Sequence, residues 1–193
     1  MKMIMLQTAV AAALAGTAAP ALAQSVPSAT IAVVDLEKVT SQCTACKSAN
    51  VALTSQVNAL RARQKALSTP LEAEAKTLQA AVAALAGKAP DAALQARIQA
   101  FQAKQQVGSQ EINRQEQQIQ RNQTYIQQQI GAKLGPIYQQ VMQRRGANVM
   151  IEIGSTLATG AALDVSNDVL TALNASLTTI QTTAPAQAAP QGR

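Results

Sequence analysis

Cys43-Thr44-Ala45-Cys46 is the one constellation whose residue types and spacing could carry covalent chemistry. A C-x-x-C pair at a helix start puts its first thiol where the helix N-terminus favours the thiolate, and such thiols exchange disulfides. The pair alone leaves four outcomes open: an intrachain staple, redox turnover, a bridge between subunits, or a metal site pooled from several subunits. A staple on the first turn is the plain outcome in an oxidising compartment. Redox turnover would need more, and no βαβ framework, preceding aromatic or cis-proline loop is visible. Metal binding would have to proceed in a chain with no histidine. There are no paired carboxylates with an obvious cleft and no phosphate loop. Catalytic, cofactor-binding and metal residues are therefore read as none, and the chain as not an enzyme.

The remaining candidate residues are diffuse. Thirteen of the 16 basic residues lie between Lys47 and Arg145 against five acids, so this stretch carries +8 and the remainder −2. A positive field on long exposed arms attracts acidic polypeptides, anionic lipid or nucleic acid. Arg61, Arg63, Lys65, Lys76, Lys88, Arg97 and Lys104 are the candidate contacts with such a partner. Taken singly, each is better explained as a solubilising charge on a wet helix face. The asymmetry of the whole is the stronger observation.

What positions these residues is mostly helix. From Ser48 to Arg145 the sequence is helix-forming and nearly free of aromatics, broken once at Ala86-Gly87-Lys88-Ala89-Pro90. Leu53, Val57, Leu60, Leu67, Leu71, Leu78 and Leu85 lie on alternating steps of three and four interrupted by Gln64, Glu74 and Ala81, and Ile98, Ile112, Ile119 and Ile126 lie on a seven-residue lane with Gln105 filling the gap. Both seams are narrow, so each helix needs a partner and leaves its other faces wet. Gly87 and Pro90, with Asp91 as N-cap, turn the chain back, and the two helices pair antiparallel. A single continuous helix in a parallel coiled coil is the competing arrangement, at the expense of Gly-Lys-Ala-Pro in its interior. Pro70 is expected to kink the first arm, and Gly108, Gly131 and Gly135-Pro136 to loosen the second.

The ends supply the body. Residues 1–23 read as a secretory signal, with Lys2, an apolar run to Ala15 and an Ala21-Leu22-Ala23 cleavage site. Export then argues against a nucleic-acid partner, and no recognition module or stacking platform is present. Thr30 to Leu36 and Ala147 to Ile153 have strand composition, and Ala161 to Leu163 is expected to add a short third strand. Ser166 is the expected N-cap of a last helix with Val169, Leu170, Leu173 and Leu177 on its apolar face. From Gln181 onward the Thr, Ala, Pro and Gln tail reads as disordered. The fold class is α+β, with a split β body at 24–40 and 146–180, a hairpin at 41–145 with its tip near 86–91, and a tail at 181–193. So small a body with open strand edges predicts association of several chains.

The order of these pieces carries a resemblance. Ile31-Ala-Val-Val-Asp35 at the start, the basic glutamine-rich hairpin, and Asp164-Val-Ser-Asn-Asp-Val-Leu170 at the end resemble the OmpH/Skp family of periplasmic chaperones across the mature chain. That resemblance implies a homotrimer with a β trimerisation body and three helical tentacles around a cavity. It implies an ATP-independent holdase that keeps unfolded outer-membrane proteins soluble for assembly, with peripheral contact to anionic lipid or lipopolysaccharide as a further partner. A structural cell-envelope coiled coil is the alternative, followed by a thiol-disulfide protein.

Overall fold

Short β-branched runs that pair only when brought together from opposite ends of the chain define the base. The computed structural model describes residues 27–185. Both the expected signal at 1–23 and the chain beyond Pro185 lie outside the described residues. Strand β1 (Ile31–Val34) pairs in parallel with β2 (Val149–Glu152), in the register Ile31 to Val149 through Val34 to Glu152. Parallel pairing demands a crossover, and here everything between the strands serves as one. In that sense a β-helix-β framework is present, contrary to the expectation from sequence; what makes it unusual is the length of its connection.

Asp35 ends β1 and caps α1 (Leu36–Gln42), its carboxylate accepting from Lys38 N at 2.8 Å. Cys43 then breaks the helix and caps α2 (Thr44–Ala83), and the turn at 84–91 leads into α3 (Ala92–Arg145). Ala86 and Gly87 both adopt positive φ, at 47° and 89°, and Asp91 accepts from Leu94 N to start the return helix. At 1.5 Å per residue, the 40 residues of α2 extend about 60 Å. The pairing is antiparallel, because partner numbers converge toward the turn: Gln56 meets Asn122, Arg63 meets Glu111, and Glu74 meets Lys104.

Pro70 and Pro136 both lie inside unbroken helices. Pro70 is solvent-exposed, so the carbonyl left without its usual donor faces a side where water can reach it. Helix α3 ends at Gly146 (φ 66°), whose N–H and that of Ala147 bond back to Gln143 and Met142, a left-handed cap suited to glycine.

The expected third strand is not formed. Ala161–Leu163 is a single 3-10 turn closed by Leu163 N to Gly160 O, and only Asp164 bridges to Val33. Three residues without β-branching offer no pleated face, and the turn satisfies their amides locally. Val165 N still donates to Val33 O at 2.9 Å, so β1 is flanked on both sides while the outer edge of β2 has no strand partner among the described residues.

Helix α4 (Ser166–Ser176) also begins differently from expectation. Ser166 is its first helical residue rather than its cap, and it is fully buried. Its hydroxyl donates to Asp164 and accepts from Asp35 N at 2.8 Å, tying the end of β1 to the start of α4. Hydrogen bonds from the Ser166 hydroxyl and amide hold the Asp164 carboxyl below its ordinary range.

The contiguous core cluster sits in this base. Val34, Val39, Cys43, Leu134, Ile137, Val141, Val169 and Leu173 form one buried cluster of β1, α1, α4 and the roots of α2 and α3. Among the described residues, no helix is long and apolar enough to cross a membrane.

Candidate functional site on the paired arms

Cysteines and basic residues, the two sets singled out by sequence, lie in opposite surroundings. The sulfurs of Cys43 and Cys46 are 2.17 Å apart, with Cα atoms at 5.1 Å. Cys43 is fully buried in the core cluster and Cys46 nearly so. Its sulfur also accepts from Cys46 N, and Asn174 of α4 accepts from Thr44 N at 2.9 Å. Cys43 is thus held inside the core, and Cys46 borders a shallow surface groove between α1, α2 and α3; joined as a disulfide, the two sulfurs staple the first turn of α2.

Arg61, Arg63, Lys65, Lys76, Lys88, Arg97 and Lys104 are all exposed along the arms. They do not converge. Arg63 makes a two-pronged pair with Glu111, at 2.7 and 2.9 Å, and Lys104 reaches Glu74 at 2.8 Å. Each of these pairs crosses from one helix to the other. The hydrogen bond from Arg63 holds the Glu111 carboxyl below its usual range, and the same contact raises the guanidinium. Arg61, Lys65, Lys76, Lys88 and Arg97 have no acidic partner within salt-bridge distance among the described residues. The free cations are thus spread from mid-arm to tip, with Lys88 in the turn itself.

Between the two cross-helix pairs lies a shallow groove of about 570 Å³, lined by Leu67, Pro70, Leu71, Val107 and Gly108. Val107 is 61% exposed, so the groove presents apolar surface directly to solvent. A Cβ on Gly108 would sit 3.8 Å from Leu67 Cδ1, an ordinary contact. Glycine is therefore not needed there for space; its effect is to keep the second arm's helix weak.

Sequence reasoning missed a third set. Gln118, Asn122, Tyr125 and Gln129 form a polar lane on α3, and with Gln56 of α2 they hold residues 181–185 against the arms. The segment expected to be disordered from Gln181 is thus hydrogen-bonded to the arms as far as Ala184. The signal was available in the steps of four, three and four along that lane, the same spacing as the apolar seams.

The family model for outer membrane protein (OmpH-like) matches residues 30–173, which takes in both strands, both arms and most of α4. The chain belongs to the OmpH-like family. Its fold is also that of a crystal structure of an OmpH-like protein from Caulobacter crescentus CB15, for which an outer membrane chaperone role has been proposed. The two share 18% identity and a TM-score of 0.66, over 81% of this chain and 90% of the other. No curated protein matches. At that identity the likeness speaks for the OmpH-like fold, and the chemistry of the arms has to be argued from this chain.

Proposed function

We propose that this OmpH-like chain is an ATP-independent periplasmic holdase, which captures unfolded outer-membrane β-barrel proteins and keeps them soluble for assembly. The observation that carries this reading is the contrast along the hairpin: a thin apolar seam, an exposed apolar groove and scattered cations without a salt-bridge partner among the described residues. An unfolded chain has no fixed shape to recognise, so many weak contacts on slim arms suit it better than one deep site. Weak contacts also release without an energy source.

We further propose that the working form is a homotrimer built on the base. In its support, Ile31 and Val149 pair as neighbours in the sheet and are each more than a third exposed, Leu157 and Leu163 are exposed as well, and β2 offers an edge with no strand partner among the described residues. Three hairpins on one platform would surround a space lined by their arms. Cys43 and Cys46 act as a structural disulfide in this proposal, formed after export, and the basic arms give peripheral contact to anionic lipid or lipopolysaccharide.

Aggregation of a urea-diluted β-barrel protein, followed by light scattering with no nucleotide, tests the reading. Suppression at near-stoichiometric trimer is the expected result. Aggregation at the control rate would remove the holdase assignment.

A further inference from the structure

The chain's own tail occupies a site whose chemistry reads polypeptide backbone. Gln129 exchanges two hydrogen bonds with Gln181, its amide donating to the carbonyl at 2.8 Å and its oxygen accepting from the N–H at 3.0 Å. Gln56 donates to the Thr182 carbonyl at 3.1 Å. Asn122 accepts from Ala184 N at 2.8 Å, and Gln118 donates to the Ala184 carbonyl at 3.3 Å. These amides are themselves held: Asn122, nearly fully buried, donates to Gln56 at 2.7 Å and accepts from Gln118 at 2.8 Å. Every one of these contacts to the tail is to main chain. The one side-chain contact is Tyr125 OH to Gln181, at 3.4 Å.

The geometry selects an extended strand. From Gln129 to Asn122 the helix rises by about 10 Å, and the three residue steps from Gln181 to Ala184 cover about the same distance only when nearly fully drawn out. A primary amide presents a donor and an acceptor in one plane, as a peptide group does. A helical lane of amides therefore does the work of a neighbouring β-strand, without an exposed strand edge and its hazard of self-association. Arg121 lines the cavity that Ala184 and Pro185 border, and its buried Nε finds no acceptor among the described residues. The lane thus has one more donor than the described tail uses.

We propose that Gln56, Gln118, Asn122 and Gln129 form a sequence-blind site for extended polypeptide backbone, and that residues 181–185 plug it until a segment of unfolded client displaces them. This rests on the holdase reading for its ligand. Being tethered, the plug competes at high effective concentration, so only client already concentrated on the arms exchanges with it.

The test uses the mature chain and a fluorescent, urea-unfolded β-barrel client. Gln181→Pro with Ala184→Pro removes both donated N–H groups of the plug without substituting a core residue. This variant should capture client with a dissociation constant lowered at least about fivefold, since each lost hydrogen bond is worth roughly that factor. Thr183→Val, which alters a side chain the lane does not read, should leave capture unchanged. Adding Gln129→Ala to the double-proline variant should undo the gain. If the parent chain captures client and the double-proline variant captures it no better, the plug is overturned while the holdase reading stands.

A second arm needs no client. A labelled peptide of residues 181–193 should bind the double-proline variant as well in scrambled order as in native order, and should fail to bind when every non-proline backbone N–H is N-methylated. Binding that depends on residue order, or that survives N-methylation, would overturn the site. Were the parent to capture no client at all, the holdase reading would fall and this peptide arm would decide the site alone.

Discussion

Base and arms are made from the same alanine-rich chain, yet they bury it in opposite ways. In the base, Val39, Val141, Val169 and Leu173 are fully buried, drawn from three helices that converge on β1. Along the arms the seam is partial: Leu60, Leu78 and Ile126 are buried, whereas Leu53, Leu67, Leu71, Ile98 and Ile112 are only half-covered. Two helices have no third neighbour to cover the outer flank of each seam residue. The lesson is a division of labour, in which the base fixes the roots of the arms and the arms keep apolar surface available at little stability of their own.

Truncation at matched residues should separate the two regions most sharply. Leu173→Ala in the base is expected to cost about 3 kcal/mol, in the range for a fully buried leucine. Leu71→Ala on the arm should cost about 1 kcal/mol, because much of that side chain is already wet. Urea unfolding curves of the two variants decide this; equal losses would erase the distinction. Next in size is the cysteine pair. Cys43→Ala with Cys46→Ala removes the closure of a very short loop and should cost about 2 kcal/mol, with client capture unchanged. A loss of capture at unchanged stability would instead revive thiol chemistry.

Acid should loosen the base more than the arms. Asp164 has its carboxyl lowered by Ser166, so its contribution is present above the ordinary carboxylate range and is lost as pH falls through the lowered value. Asp164→Asn should flatten the acid limb of a stability–pH profile measured by urea unfolding. Glu111, lowered by Arg63, works in the same direction on the arms, but as a solvent-screened pair its effect should be smaller. Smallest is Gly108→Ala, expected to raise stability by about 0.5 to 1 kcal/mol, since the added methyl meets only an ordinary contact with Leu67. A clear loss would mean that α3 needs the glycine for closer packing than the structure has.

Much of this contrast was legible in the residues themselves. Gly87, Pro90 and Asp91 announce the reversal, because positive φ, a missing amide and a capping carboxylate are local properties. Strand runs were visible for the same reason, as β-branching is local too. What was not legible depends on partners distant in sequence. Ala161–Leu163 resembles a strand until its amides close on Gly160, and Ser166 resembles a cap until it is buried between Asp35 and Asp164. The tail from Gln181 has the composition of a disordered segment. Its order comes from Gln56 and Asn122, which are 66 residues apart and meet only because the hairpin closes.

Hydrogen exchange with and without an unfolded β-barrel client tests the central claim, that a fixed base carries adaptable arms which hold clients diffusely. The account predicts slow exchange at Val141, Val169 and Leu173 in both states, and client-induced protection spread over both arms from about Val51 to Gln129. Protection confined to one short segment, or appearing at α4 and the sheet, would contradict it.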